Sequence, residues 1–244
     1  MLCDAHVHIG RYKEFYFDPL QTMKELSGFG AVSWAVSSTS TLTEPFNQNQ
    51  IINELKLILK DYPAQTRIVI WLTPGQERDA AAIKKYENSL PVSAFKIHPY
   101  YHNWNDEQIT GAFILAENKN KPLIIHTGGS DESDPLRFMR FCEKFKGVKT
   151  VLAHGRPCEN TMEVMKRCGN VFADTAFMPV QDVKRLYGKF KGRILFGTDF
   201  PIGKYYYADK DAAEMYQSFT DKLVEEAGEG FFNDSFDLFR ELFK

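Results

Sequence analysis

Eight short runs of apolar and β-branched residues recur along this 244-residue chain, with helix-like stretches between them. Such an alternation is typical of parallel β-strands that are joined by crossover helices. The predicted strands are 2–8, 31–36, 67–72, 92–98, 122–126, 149–154, 170–175 and 193–199. The pattern therefore predicts an α/β fold, either a closed barrel or a doubly wound sheet.

Histidine and aspartate side chains stand where four of these strands end. His6 and His8 close the first strand, His126 the fifth, His154 the sixth and Asp199 the eighth. Only closure into a ring brings the first and last strands side by side. We therefore expect a compact (β/α)8 TIM barrel with extra C-terminal helices, formed by residues 1–244 as a single domain.

The same five residues form a candidate metal site. Alternate residues of a strand point to one face, so that His6 and His8 can reach one ion. Each histidine taken singly could be a core residue bonded to a backbone carbonyl, but imidazoles and a carboxylate together are typical ligands of a divalent metal. We predict a metal, zinc by preference, as one ion or two, held by His6, His8, His126, His154 and Asp199.

Two of these residues have candidate catalytic roles as well. A metal lowers the pKa of a bound water, and Asp199 is placed to take the proton from that water and deliver it to the leaving group. His154 either binds a second metal or polarises the substrate by a hydrogen bond.

Lys96, His98 and Arg156 are the candidate substrate-binding residues. Lys96 and His98 share the inward face of the fourth strand, where an unpaired lysine charge is costly. Lys96 therefore either pairs with Asp199 or Asp174, is neutral, faces water, or carries a carbamate that bridges two metals. His98 faces the substrate or caps its strand. Arg156 binds a substrate carboxylate or phosphate, or forms a salt bridge to a neighbouring loop.

One-faced apolar patterns predict helices at several places between and after the strands. They cover 46–61, 106–118, 134–145, 179–187, 208–226 and 234–243. We expect the apolar stripe of the last helix to pack against the outside of the barrel.

The composition of the chain limits the kinds of binding partner that we expect. The 30 basic and 32 acidic residues are intermixed and give a net charge of -2, which indicates neither a nucleic-acid nor a membrane surface. The chain shows no signal peptide and no membrane-spanning run, so we expect a cytoplasmic protein with a small-molecule substrate. The four scattered cysteines are expected to be reduced. Pairing into a homo-oligomer is open, because no residue pattern marks an interface.

Several motifs at the strand ends together match a known family. They are Asp4-Ala5-His6-Val7-His8, Phe95-Lys96-Ile97-His98-Pro99, Ile125-His126-Thr127-Gly128, Leu152-Ala153-His154-Gly155 and Ile194-Leu195-Phe196-Gly197-Thr198-Asp199-Phe200-Pro201. The chain resembles the amidohydrolase superfamily over nearly its whole length, specifically the branch called amidohydrolase-related or amidohydrolase 2.

The resemblance implies a metal-bearing barrel with its site at the C-terminal ends of the strands. His6, His8, His126 and Asp199 align with metal ligands, and His154 with the residue that binds a second metal or the substrate. The family implies hydrolysis of a small-molecule amide, ester or lactone. Its alternatives are a decarboxylase or hydratase of the same fold, a TatD-type nuclease, whose fourth strand carries a glutamate in place of Lys96, and a non-catalytic metal-binding protein.

Overall fold

The computed structural model describes residues 1–207 and 209–244, and nine β-strands form one sheet within them. The strands are β1 Leu2–Tyr12, β2 Phe15–Phe17, β3 Ala31–Ser38, β4 Thr66–Trp71, β5 Val92–Ile97, β6 Leu123–His126, β7 Thr150–Ala153, β8 Val171–Asp174 and β9 Ile194–Leu195. Their spatial order is β2-β1-β3-β4-β5-β6-β7-β8-β9. β2 is antiparallel to the end of β1, and each later neighbour pair is parallel.

Backbone hydrogen bonds join the last strand region to the first. The Ala5 amide donates to the Phe196 carbonyl at 2.8 Å, and the His8 amide donates to the Phe200 carbonyl at 2.7 Å. The eight parallel strands thereby curl into a ring, with the β1–β2 hairpin rising from its edge. The expected α/β barrel is confirmed, and closure follows from the pairing of its first and last members.

Ten α-helices lie between or after the strands within the described residues. They are α1 Pro19–Gly28, α2 Gln48–Asp61, α3 Ala80–Ser89, α4 Asp106–Lys119, α5 Pro135–Lys144, α6 Cys158–Arg167, α7 Val180–Lys189, α8 Gly203–Tyr206, α9 Ala212–Ala227 and α10 Gly230–Leu242. The apolar patterns of the sequence did not predict α1, α3, α6 and α8. In α3 only Ile83 and Tyr86 are buried, so its apolar stripe is short, and its start is fixed instead by the Asp79 cap. The predicted helix 208–226 begins at residue 212; position 208 lies outside the described residues.

Buried apolar side chains of the described residues form two large clusters and a small third one around Tyr12, Phe17 and Ile202. The larger one lies between the barrel and its surrounding helices and contains outward side chains such as Phe95 and Ile97. The second large cluster contains lumen-facing side chains such as Ala94 and Ile124 together with Leu238 and Phe239 of α10. The expectation that the α10 stripe packs on the barrel's outside was therefore wrong. The helix closes the lumen at the end away from the site, where inward residues would otherwise be exposed.

The ends of the parallel strands meet at one rim of the barrel, which is where the predicted site residues lie. The four cysteines are buried and free, as expected for reduced core residues. Within the described part of the chain, no helix has the length and apolar character that a membrane span requires.

Candidate metal centre

His6, His8 and Asp199 form the centre of the site. The Oδ1 atom of Asp199 lies 3.3 Å from His6 Nε2 and 3.0 Å from His8 Nε2. All three residues are buried. Three donor atoms from the first and last barrel strands therefore converge on one small volume at the rim.

Hydrogen bonds on the other ring nitrogens aim the two imidazoles. His6 Nδ1 donates to Asp174 Oδ2 at 2.9 Å, while His8 Nδ1 lies 3.3 Å from the Ser37 carbonyl and 3.0 Å from the Ser37 hydroxyl. With the proton on Nδ1, each Nε2 atom presents its lone pair to the site. Both histidines are thus held in the tautomer that a metal ligand requires.

His126 and His154 form a second pair beside the first group. His126 Nδ1 lies 3.0 Å from His154 Nε2, and His154 Nδ1 donates to the Ala176 carbonyl at 3.1 Å. The ring of His154 is 4.9 Å from that of His6, centre to centre. Ligand atoms of His6, His154 and Asp199 all lie within 4.8 Å of one another, so the two groups are contiguous.

Unusual backbone conformations place two of these side chains. His154 has φ 69° and Asp199 has φ 60°, a left-handed region that is costly for residues other than glycine. Close packing adds a further constraint, because a Cβ on Gly197 would lie 2.9 Å from His6 Cβ. The backbone is therefore strained at His154 and Asp199, where these two side chains turn toward the lumen.

Lys96 lies in the same volume, as its inward position on β5 predicted. Its Nζ atom is 2.7 Å from His6 Nε2, 3.1 Å from His8 Nε2 and 4.7 Å from the centre of the Trp71 ring. None of the ion pairs among residues 1–207 and 209–244 involves Lys96, so the expected alternative of a salt bridge to Asp199 or Asp174 is not formed.

Burial sets the protonation of these groups. It lowers the pKa of Lys96 to about 8, against the opposing charges of Asp199 and Asp174. It also lowers the pKa of His8 to about 4 and of His126 to about 3, with Lys96 contributing in both cases. The two imidazoles are therefore neutral at physiological pH, as metal ligation requires.

Two buried aspartates accept hydrogen bonds from the strand ends at the rim. Neither was among the predicted site residues. Asp174 accepts hydrogen bonds from the His154 and Ala176 amides at 2.8 Å and 3.1 Å, besides the one from His6. Asp4 accepts from the Thr198 amide at 3.1 Å and the Thr198 hydroxyl at 2.6 Å. Asp174 ends its strand as the candidate ligands end theirs, which is the signal that could have identified it.

A cavity of about 510 Å³ opens above the cluster and is lined by Lys96, His98, Arg156 and Asp199, among others. His98 Nδ1 accepts from the Tyr101 amide at 3.3 Å, and its ring stacks on His126 at 3.6 Å between centres. His98 therefore both braces its loop and forms part of the pocket wall.

Arg156 stands in this cavity without an acidic neighbour. None of the ion pairs in the described part of the chain includes it, and its buried Nε atom has no hydrogen-bond acceptor there. A Cβ on Gly128 would lie 3.0 Å from Arg156 Cβ, so that the glycine makes room for the arginine stem. The predicted alternative of a salt bridge to a neighbouring loop is thus not formed.

Comparison with known proteins agrees with this arrangement. The family model described as Amidohydrolase (Amidohydro_2) matches residues 3–234. No curated protein shows significant sequence similarity to the chain.

Similar solved structures share the barrel. An uncharacterized TIM-barrel protein from Bordetella bronchiseptica has a TM-score of 0.70 at 15% identity, covering 97% of this chain and 98% of its own. The phosphotriesterase homology protein from Escherichia coli, complexed with phosphate in its active site, has a TM-score of 0.69 at 11% identity, covering 100% and 98%. A TatD homolog from Escherichia coli has a TM-score of 0.64 at 13% identity, covering 99% and 97%.

These identities show the fold alone, whereas the family match spans nearly the whole chain and places the strand-end histidines and aspartate within it. The chain belongs to the amidohydrolase family and is an enzyme of the amidohydrolase superfamily.

Proposed function

We propose that the protein is a metal-dependent hydrolase of a small-molecule amide, ester or lactone. The observation that supports this most strongly is the convergence of three buried donor atoms beneath an open cavity. Asp199 Oδ1 lies 3.3 Å from His6 Nε2 and 3.0 Å from His8 Nε2. Such a set of buried donors aimed at one point is expected of a metal site.

The donor atoms fit a divalent ion. Ligand atoms about 2.1 Å from one tetrahedral ion lie roughly 3.4 Å apart, close to the separations around Asp199 Oδ1. Nitrogen donors with one carboxylate favour zinc among the common divalent metals. We propose that His6, His8 and Asp199 hold the first ion, and that His126 and His154 are the ligands for a second. When bound, the metal supplies a water that is activated for attack near neutral pH.

Side chains of the protein supply proton transfer, polarisation of the substrate and positioning of the ligands. Asp199 lies at the cavity surface, where its carboxylate accepts the proton of the attacking water and delivers it to the leaving group. His154 stands beside it and polarises the bond to be broken or holds the second ion. Asp174 keeps His6 in position through the 2.9 Å hydrogen bond to Nδ1.

Arg156 and the cavity around it indicate the charge of the substrate. Arg156 is the permanent cation of the lining, and the one carboxylate there, Asp199, is itself a proposed ligand. A planar guanidinium with no protein acceptor is suited to bind a carboxylate or phosphate of the substrate through paired hydrogen bonds. We therefore propose an anionic substrate, with Arg156 and His98 at its distal end.

Lys96 has a separate proposed role. An amine between two imidazole nitrogens, with its pKa lowered to about 8, is nucleophilic enough near neutral pH to react with carbon dioxide. The resulting carbamate would place a negative charge beside His6 and His8 and would offer oxygen ligands to two ions. Metal content measured per chain for the wild type and Lys96→Ala tests this, since a bridging carbamate predicts two ions falling to one or none.

Asp199→Asn tests the hydrolase proposal itself. We expect loss of turnover on a panel of small esters, lactones and N-acyl amides, with the fold intact by circular dichroism. The matched control is Asp61→Asn, an exposed aspartate at the end of α2, which should leave turnover unchanged. An Asp199→Asn enzyme with wild-type rates would contradict the proposed role.

A decarboxylase or hydratase of the same fold is the second candidate, and the unpaired Arg156 is the observation in its favour. A lyase needs a cationic clamp for the substrate carboxylate but no hydrolytic water. If metal-loaded protein releases carbon dioxide from a panel of aryl carboxylates and hydrolyses none of the esters, lactones or amides, the lyase assignment replaces the hydrolase.

A further inference from the structure

We propose that Tyr12 is a specificity-determining residue whose hydroxyl ties Tyr101 to Tyr206 across the mouth of the pocket, so that only small molecules reach the metal centre. This inference rests on the proposed function, because it concerns access to the same site. We refer to Tyr12, Tyr101 and Tyr206 as the tyrosine crossbar.

The crossbar is defined by two hydrogen bonds at one phenol. Tyr12 Oη lies 3.1 Å from Tyr101 Oη and 3.0 Å from Tyr206 Oη. A phenol has one proton and can also accept, so Tyr12 can donate to one neighbour and accept from the other. Tyr12 is only 5% exposed, whereas Tyr101 and Tyr206 are 41% and 56% exposed, which places Tyr12 beneath the other two.

The barrel topology makes this contact span the mouth. Tyr101 follows β5, the fourth strand of the eight-membered ring, and Tyr206 follows β9, the eighth. Strands four places apart in a ring of eight lie on opposite sides of it. The two loops can meet only above the opening, and all three tyrosines line the cavity.

The β1–β2 hairpin carries Tyr12 to this place. β1 continues past the metal ligand His8 to Tyr12, where it pairs with Phe15 of β2. The strand predicted from the sequence ends at residue 8, so this extension was not predicted. Because the hairpin is part of the sheet, the hub of the crossbar is fixed to the same strand as two proposed metal ligands.

Each arm of the crossbar makes further contacts with neighbouring side chains. The Tyr101 amide donates to His98 Nδ1 at 3.3 Å, and its ring meets the His98 ring edge-on at 4.7 Å. Tyr206 contacts Phe177 at 6.0 Å between ring centres, and Lys204 in the same helix pairs with Glu25 at 2.6 Å. The arms are therefore held toward one another rather than splayed.

The crossbar leaves the mouth open on the side above β6, β7 and β8. There the lining is formed by Gly129, Arg156 and Phe177. A small anion can pass beside Arg156 to the metal centre, but a strand of nucleic acid cannot lie across the mouth. The crossbar thus favours a small-molecule substrate over the polymer that a TatD-type nuclease would require.

Removal of zinc by two chelators of different size tests this inference. Dipicolinate is small and flat, whereas EDTA is larger and must wrap the ion. In zinc-loaded wild-type protein we expect faster removal by dipicolinate. Tyr12→Phe deletes both hydrogen bonds and keeps the ring, and we expect it to raise the rate with EDTA about tenfold and the rate with dipicolinate little.

Tyr205→Phe is the matched control. Tyr205 packs against Tyr12 at 5.3 Å, but its hydroxyl accepts from Lys13 and takes no part in the crossbar. We expect wild-type rates for this variant. Equal rates for the two chelators in wild-type protein, or an unchanged ratio in Tyr12→Phe, would overturn the inference.

Hydrogen exchange on metal-free protein separates this inference from the proposed function. In Tyr12→Phe the amides of 98–105 and 203–207 should exchange faster together. Tyr101→Phe keeps the bond between Tyr12 and Tyr206 and should therefore speed exchange in 98–105 only. Unchanged exchange in both segments overturns the crossbar whatever the metal content. A chain that shows this exchange but never binds metal would contradict the hydrolase alone.

Discussion

The carboxylate of Asp174, buried beneath the proposed metal ligands, is expected to decide how well a metal centre forms. Asp174 binds His6 through one oxygen and the His154 amide through the other, at 2.9 Å and 2.8 Å. It therefore connects the two groups of proposed ligands without lining the cavity itself. Residues of this kind fix the tautomer and direction of the histidines, and their loss is expected to weaken metal binding.

Asp174→Asn is predicted to lower zinc affinity about 10- to 100-fold, because the amide keeps the shape but supplies no charge to His6. Competition with a coloured zinc chelator measures this affinity. Asp237→Asn, at an exposed position of α10, is the matched control and should not change it. Equal affinities for all three proteins would show that Asp174 does not support the site.

The buried histidines predict a pH dependence of stability in metal-free protein. The pKa of histidine in an unfolded chain is about 6.5, whereas burial lowers the pKa of His8 to about 4 and that of His126 to about 3. Between these values the unfolded chain binds more protons than the folded one, so the free energy of unfolding falls as the pH falls from about 6.5 toward 4.

Urea denaturation of chelator-treated protein at a series of pH values measures this dependence. We expect the free energy of unfolding of His8→Asn to fall less steeply with pH than that of the wild type. The variant lacks one histidine that takes up a proton on unfolding. Identical slopes for the two proteins would mean that His8 is not held neutral in the fold.

At the level of elements, the loop after β6 sets the position of Arg156. Gly128 and Gly129 have φ 86° and 83°, but only Gly128 faces the arginine. An alanine at either position is strained by about 1–2 kcal/mol. Only at position 128 does the new Cβ also displace the arginine stem.

Gly128→Ala is therefore predicted to weaken binding of benzoate, a small carboxylate probe, to zinc-loaded protein by about tenfold, with zinc content unchanged. The expected loss corresponds to one displaced charge-assisted hydrogen bond. Gly129→Ala carries the same backbone strain without a neighbour within 4 Å and should bind benzoate much more tightly than Gly128→Ala. Calorimetric titration distinguishes them, and equal losses would mean that strain alone is responsible.

The strands and the convergence of their polar end residues at one rim could be predicted from the sequence because two physical patterns coincide there. Apolar runs mark parallel strands, and polar residues that interrupt them, such as His126 and His154, mark the rim. The extension of β1 to Tyr12 did not follow, since Gly10, Arg11 and Tyr12 resemble a turn and their pairing with β2 depends on a contact across the hairpin. α3 was not predicted because only two of its residues, Ile83 and Tyr86, are buried, which leaves too short an apolar stripe to recognise.

At the level of the whole molecule, one helix closes the end of the barrel that faces away from the site. Phe239 of α10 is 1% exposed and packs with lumen residues such as Leu195. The sequence predicted the stripe but not the surface that it covers, because the apolar ends of a lumen and the outer face of a barrel have similar composition.

Phe239→Ala is predicted to lower the free energy of unfolding by about 3–5 kcal/mol through loss of burial and creation of a cavity. Phe236→Ala, at a partly buried position of the same helix, should cost less. Zinc content should be unchanged in both, since the site lies at the opposite end. Chemical denaturation measures the difference, and equal losses would contradict the lumen packing.

We propose that this amidohydrolase-family chain holds a divalent metal at His6, His8 and Asp199. Metal content per chain, measured by elemental mass spectrometry on wild type and His8→Asn, tests it most directly, with His102→Asn as a histidine control outside the site. We predict that the wild type and His102→Asn bind metal and that His8→Asn loses it. A wild-type protein without metal, or a His8→Asn variant that retains all of it, would contradict the claim.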